Sequence, residues 1–267
     1  MNEIIGYALS VLIGVSLGLI GGGGSILTVP ILVYVFGLGP EISTSYSLFI
    51  VGLTALAGSV SYYKSKLINL KAALTFSVPS LISVFLTRKF IMPSLPEVIF
   101  TIGNFQFTKP VFIMTVFAVL MIAASVSMIR KSKTPVPSKM KPGHHYTLIF
   151  IEGIIVGVLT GFVGAGGGFL IIPALVLFAG LPMKEAVGTS LLIIAIKSLI
   201  GFTGDLSAGV NIDWMFLLLV SVFTVSGIYF GSTLAKKIHG DKLKPAFGWF
   251  VLAMGIYIIL RETVFIH

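Results

Sequence analysis

Two runs of glycine, each set inside an apolar segment, are the residues whose type and spacing point to chemistry. The first reads Gly21-Gly22-Gly23-Gly24-Ser25-Ile26-Leu27-Thr28-Val29-Pro30, and the second Gly164-Ala165-Gly166-Gly167-Gly168-Phe169-Leu170-Ile171-Ile172-Pro173, 143 positions later. Glycine permits left-handed backbone and close main-chain approach at no steric cost. Unwound backbone in hydrocarbon is tolerated only where it lines a cavity or is packed in protein. A break repeated in corresponding positions of two halves is the sequence pointer to a binding site. Helices restarting at Ser25 and at Gly168 would present free backbone N–H groups and the positive end of a dipole, which suits an anion. The candidate contacts are therefore Gly22, Gly23, Gly24 and Ser25 from one run and Ala165, Gly166, Gly167 and Gly168 from the other. The competing reading is close helix packing through small residues; repetition of the run together with its proline favours a site. No Gly-Lys-Ser/Thr follows either run, so neither is a phosphate loop, and neither sits in a βαβ pattern.

Hydroxyls and one lysine extend this constellation. Ser43-Thr44-Ser45-Tyr46-Ser47 aligns with Ala186-Val187-Gly188-Thr189-Ser190, which makes Ser47 and Ser190 equivalent. Hydroxyls donate to an oxyanion without adding charge; their other use is back-bonding to their own helix. For Ser47 and Ser190 both readings stay open, and for the remaining hydroxyls back-bonding is preferred, although Thr189 joins the candidate set beside Ser190. Lys197 lies amid Ile193-Ile194-Ala195-Ile196 and Leu199-Ile200, far from either end of its segment. An ionisable residue at that depth is a functional candidate by default; the alternatives are an ammonium reaching the interface along its stem, or a pair with Asp205. Glu152, one or two turns inside its segment, is a candidate for proton coupling, set against an ordinary interfacial carboxylate. Glu41, Glu185, Asp205 and Asp213 read as loop or helix-end residues, Asp213 as a helix start before the interfacial Trp214. His144-His145 offers too few ligands for a metal, and no cofactor is expected. Without a Ser/His/Asp or paired-carboxylate constellation, and without cysteine, the sequence argues against an enzyme.

The elements that must position these residues are apolar helices. The chain has 267 residues, 56% of them hydrophobic and 10% charged, and a mean hydropathy of +1.07. Segments 110–129, 148–163, 186–196 and 214–230 are almost free of charge, the signature of a membrane span. The acidic start at residues 1–3 lacks the basic leading region of a secretory signal, so the first helix is expected to be retained. The pattern predicts ten elements, at 4–20, 25–37, 43–62, 70–88 and 109–130, then 147–163, 168–180, 184–203, 213–235 and 243–260. The first half is 1–130, a basic linker 131–146 follows, and the second half is 147–267. From Gly18/Gly161 to Leu53/Ile196 the halves share 13 of 36 residues, and Lys109-Pro110 and Lys244-Pro245 open the last helix of each. Five elements per half is odd, so the second half should be inverted. With loop 130–141 in the cytoplasm, 12 basic residues fall inside and 5 outside, the expected bias, and both termini lie outside. Segments 25–37 and 168–180 are short for a core of ~30 Å, so the number of full spans is eight or ten. The net charge of +9 belongs to this topology and implies no nucleic acid.

At the two motifs the chain resembles the TauE/SafE family of membrane permeases, through Gly-x-Gly-Gly-Gly, the following proline and Ala186-Val187-Gly188-Thr189-Ser190. The first copy departs from that pattern at Ser25, Ser43 and Tyr46. The resemblance implies an inner-membrane protein that moves small sulfur-containing anions such as sulfite or sulfonates. The expectation is an all-α polytopic secondary transporter with inverted repeats, driven by a proton or other ion gradient and working in a lipid bilayer, with a homo-oligomer compatible. Its rivals are a passive anion channel, a permease for a non-sulfur organic anion, and a membrane-embedded enzyme or scaffold.

Overall fold

In the computed structural model, residues 2–102, 105–129, 142–164, 168–177, 180–235 and 240–264 are described. The apolar segments form helices α1 (Asn2–Ile20), α2 (Thr28–Tyr34), α3 (Pro40–Lys64), α4 (Leu70–Leu86) and α5 (Met92–Ser94), the hairpin β1 (Val98–Ile102) and β2 (Phe105–Thr108), then α6 (Lys109–Ile129), α7 (Pro142–Val163), α8 (Gly168–Leu177), α9 (Met183–Ser207), α10 (Trp214–Ala235) and α11 (Gly240–Val264). Local signals set several boundaries. Pro40 opens α3 after an extended Gly39, with Glu41 in the first turn where the helix dipole favours a carboxylate. Asn69 caps α4 by accepting from the Ala72 N–H at 3.0 Å. Asp213 caps α10 through the Phe216 N–H at 3.1 Å, the helix start expected from sequence.

This is a polytopic helical membrane protein. Among the described residues four helices are long and apolar enough to cross a bilayer: Pro40–Lys64, Leu70–Ser94, Met183–Ser207 and Trp214–Ala235. α3 and α9 are the most enclosed of these and pack on each other, with α4 against α9 and α10 against α3. The outward faces of the surrounding helices are apolar: Leu74, Val78 and Ile82 on α4, Ile151 and Ile155 on α7, and Val222 and Phe230 on α10 are all exposed. A surface of that kind belongs against lipid rather than water. α2 and α8 have 7 and 10 residues, roughly 10 and 15 Å of helix, so neither spans alone.

Backbone features recur at the 143-residue spacing seen in the sequence. Six residues among those described have left-handed φ, and they form three such pairs: Gly21 (67°) with Gly164 (69°), Gly37 (73°) with Gly180 (63°), and Lys66 (55°) with Gly209 (81°). Turn hydrogen bonds follow suit, Leu38 N–H to Leu32 O beside Leu181 N–H to Leu175 O, both at 3.1 Å. Helix pairing obeys the same exchange: α1 packs on α10 and α7 on α4, while α3 packs on α9 and α6 on α11.

Two features depart from the sequence reading. The fourth helix does not stop at 88 but turns through a π-helical segment, Thr87–Ile91, into α5. The hairpin that follows adds two strands to an otherwise helical fold. Its alternation of β-branched and aromatic residues, with Phe100 stacked on Phe107 at 4.6 Å, suits a strand pair.

Most glycines of α1, α7 and α10 do take the small-residue packing role. A Cβ on Gly14 or Gly18 would strike the α10 backbone, one on Gly227 or Gly231 the α1 backbone, and one on Gly157 the α4 backbone at Ser80. Gly14→Leu is therefore expected to lower stability by ~1–3 kcal/mol or more through overpacking. Thermal unfolding in detergent checks this, and an unchanged midpoint would show that α1 and α10 are not held this closely.

Candidate functional site

The two glycine breaks meet. A Cβ placed on Gly22 would collide with the Gly168 main chain, and one on Gly168 with that of Gly22. Gly21 faces Val187 and the Ser190 hydroxyl on α9, and Gly164 faces the Thr44 backbone on α3, positions that correspond across the repeat. The left-handed φ at Gly21 and Gly164 is what ends α1 and α7 and turns the chain inward. Each break is thus seated against the central pair α3 and α9.

The first break is ordered differently from the sequence expectation. Helical backbone resumes at once as a 3-10 segment, Gly21–Leu27, and runs into α2 without a free N-terminal end at Ser25. The Ser25 hydroxyl donates to the Gly22 carbonyl at 2.7 Å and so is spent on its own chain. Gly24 packs on α1, where a Cβ would meet Leu17 N and Ser16, rather than on a cavity. Four tightly wound glycines leave no Cβ to resist the 3-10 geometry, which explains the shift. α8 is described from Gly168 onward; Ala165, Gly166 and Gly167 lie outside the described residues, and for Gly23 only the backbone is described.

The hydroxyl candidates separate. Ser190 back-bonds to Val187 O at 2.8 Å. Thr189 accepts the Asn69 N–H at 2.9 Å and ties α9 to the start of α4, a structural task. Ser47 is fully buried and has no hydrogen-bond partner among the described residues. Of the three it alone has no hydrogen-bond partner of either kind among the described residues.

Lys197 is buried completely, and its ammonium donates to Thr160 Oγ1 at 3.1 Å. No carboxylate pairs with it among the described residues. Thr160 stands four residues before Gly164, and Ile194, one turn before Lys197, packs on Gly168. The lysine therefore sits beside both ends of the second break. An ammonium has three donors and this one uses one, an arrangement that costs stability in an apolar interior. The repeat mate Thr54 instead shares a hydrogen bond with Thr224 Oγ1 at 2.7 Å, so the two halves differ in charge here. Glu152 is half-buried on α7, about two turns before Thr160, and its Oε2 lacks a partner among the described residues. α7 begins at Pro142, so Glu152 lies about three turns inside, deeper than its sequence reading.

The largest surprise is Arg88, at the end of the segment 70–88 predicted from sequence. It is 2% exposed, and Nη1 donates to Thr44 Oγ1 at 3.0 Å while standing 3.5 Å from Asp205 Oδ2. Asp205, read as a helix-end residue, thus pairs with Arg88 and not with Lys197. The π-helical turn after Leu86 carries Arg88 inward, and the i, i+8 spacing of Lys197 and Asp205 on α9 was the available signal for a shared face.

Residues 7–258 match the family described as Sulfite exporter TauE/SafE. The chain belongs to the TauE/SafE family. It is 30% identical over 260 residues to a protein of Xylella fastidiosa named "Probable membrane transporter protein", covering 94% of this chain and 92% of that one. It is 26% identical over 258 residues to the Bacillus subtilis "Probable membrane transporter protein YunE", covering 90% and 89%. As a TauE/SafE member the chain is a membrane transporter, and its broken helices and buried charges are to be understood in that light.

The solitary bond of Lys197 gives a measurable consequence. Lys197→Met removes an uncompensated buried charge at similar volume, so the variant should unfold at an equal or higher temperature. Thr160→Val should be destabilised by ~1.5–3 kcal/mol, the size of a bond to a charged group. A marked loss of stability in Lys197→Met would assign the lysine a structural role.

Proposed function

We propose that this chain is a secondary transporter of small sulfur-containing oxyanions, sulfite or an organosulfonate, and that its halves are inverted repeats. The observation that carries the reading is Lys197: a cation buried in a spanning helix, with one hydroxyl as its partner among the described residues, near the place where two glycine breaks touch. An anion passing there would satisfy the two unused ammonium donors, and Ser47 supplies a neutral donor on the facing helix α3. Broken helices supply backbone N–H groups and ends that can change their packing, which is how alternating access is built in many transporter folds. The paired left-handed residues and exchangeable helix packing support the repeat, and the odd number of elements per half supports inversion. Both termini would then lie outside the cytoplasm of a cell whose inner membrane holds the protein.

The family description supports the sulfur oxyanion as cargo. The chain holds no nucleotide-binding loop, so the driving force would be an ion gradient, and Glu152, deep in α7 with a free carboxylate oxygen, is the proton carrier we assign. Proton exchange at Glu152 would be coupled to occupancy at Lys197 through α7, whose Thr160 lies about 12 Å along the helix from Glu152.

Sulfite flux into proteoliposomes, with and without an inward proton gradient and with sulfate and a sulfonate as competitors, tests this. Saturable flux with counterflow is expected from the wild type, at least a hundredfold less from Lys197→Met, and none of the gradient's stimulation from Glu152→Gln. Unchanged flux in Lys197→Met would remove the lysine from the pathway, and absence of wild-type flux would remove this cargo class.

A further inference from the structure

Arg88 lines a cavity of about 360 Å³ together with Glu41, Ser45, Lys109 and Asp205. Its side chain is 1% exposed, yet the Nε and Nη2 atoms have no hydrogen-bond partner among the described residues. Those two atoms form the side-on edge of the guanidinium, the pair of parallel donors that fits two oxygens of one oxyanion. Asp205 does not occupy that edge. It approaches Nη1, at 3.5 Å, beyond the ~2.7–2.9 Å of a charge-assisted bond. The other cation, Lys109, is held by Glu41 at 3.2 Å. The cavity is therefore lined by one arginine whose guanidinium is buried and whose Nε–Nη2 edge has no partner among the described residues.

A second cavity, of about 120 Å³, is lined by Ser61, Tyr62, Ser65, Leu67, Lys184 and Ser232 among others. Glu41, Asp205, Ala208 and Val210 of the first cavity correspond across 143 positions to Lys184, Tyr62, Ser65 and Leu67 of the second. One cavity gathers the start of α3 and the end of α9, and the other the end of α3 and the start of α9. Helices of 25 residues are ~37 Å long, more than a hydrocarbon core, so the two cavities open at opposite ends of the central pair. Their backbone frames correspond, but their charges do not: carboxylates at Glu41 and Asp205 become Lys184 and Tyr62.

We propose that the Arg88 cavity is an anion-docking site at one mouth of the pathway, which takes a sulfonate or sulfite head on the Nε–Nη2 edge of Arg88, with Asp205 as its resident competitor. The cavity related to it by the repeat is the opposite mouth and has no such guanidinium among its described lining residues. Its role in transport rests on the function proposed above; the binding itself does not. Docking of an anion loosens the Arg88–Asp205 pair, which links α4 to α9, and so gives arrival of cargo a direct handle on the packing of a central helix.

The competitor makes the proposal testable in a way that a merely structural ion pair is not. Methanesulfonate binding to the full chain in lipid nanodiscs is measured by calorimetry. Asp205→Asn should tighten binding about tenfold, and Arg88→Gln should abolish it. Arg88→Gln strands a buried carboxylate, so the double variant Arg88→Gln/Asp205→Asn, which removes both charges together, is measured alongside and should also fail to bind. The chain contains no cysteine, so Ala208→Cys and Ser65→Cys each introduce one thiol, at exposed positions in the two cavities. A membrane-impermeant cationic thiol reagent should modify them from opposite faces of a proteoliposome, and methanesulfonate should protect Ala208→Cys but not Ser65→Cys. Binding that is weaker or unchanged in Asp205→Asn, or absence of protection at Ala208→Cys, overturns the docking site. Modification of both thiols from one face overturns the two mouths. Sulfite flux without protection would defeat this inference and leave the transport reading intact; protection without flux of any tested anion would do the reverse.

Discussion

Backbone polar groups inside a bilayer must find partners within the protein, and this constraint governs the architecture. A continuous helix meets it alone; a broken one cannot. The breaks after α1 and α7 are consequently placed where other protein surrounds them, against the central pair α3 and α9, while α1, α4, α7 and α10 turn their apolar faces outward. The 3-10 winding of Gly21–Leu27 is the first break's answer to the same demand, because it keeps the backbone paired within the segment. α2 and α8, of 7 and 10 residues, are each too short to span alone and pack against α3 and α9 respectively.

Glycine serves two physically distinct ends here. In α1, α7 and α10 it removes side chains so that helices can approach within backbone contact. At Gly21 and Gly164 it permits left-handed φ, immediately after the ends of α1 and α7. The contact of Gly22 with Gly168 combines both uses: the two breaks are pressed together at a point where any Cβ would hold them apart. A transporter that must repack around such a point gains from having little side-chain bulk to clear.

Periodicity was strong enough in the sequence to reveal the apolar helices among the described residues and the burial of Lys197 within one of them, because hydrophobic patterning directly reports a lipid-facing surface. The Arg88–Asp205 pair was not legible, since hydropathy treats a charge near a segment end as a boundary marker. Here the helix continues through Arg88 by a π-helical turn, and that depends on the tertiary partners Thr44 and Asp205. The hairpin at Val98–Thr108 was hidden for a related reason: nine strand residues between long helices give too little alternation to stand out. Ser25 was misplaced because a glycine run suggests an unwound chain, whereas the tight 3-10 form is equally open to it.

The two halves share backbone features at a spacing of 143 positions, and they differ in the charges they carry at corresponding positions. Thr54 pairs with Thr224, while its mate Lys197 is a buried cation with a single partner. Tyr62 stands where the other half has Asp205, and Lys184 where it has Glu41. A perfectly symmetric carrier would present the same site to both sides of the membrane and could impose no difference between them. On the transport reading proposed above, substituting charge for neutral hydroxyl at corresponding positions would give each mouth its own affinity while leaving the helix packing in common. The asymmetry is therefore concentrated in a few polar side chains along α3 and α9, the two helices that pack on each other at the centre of the fold.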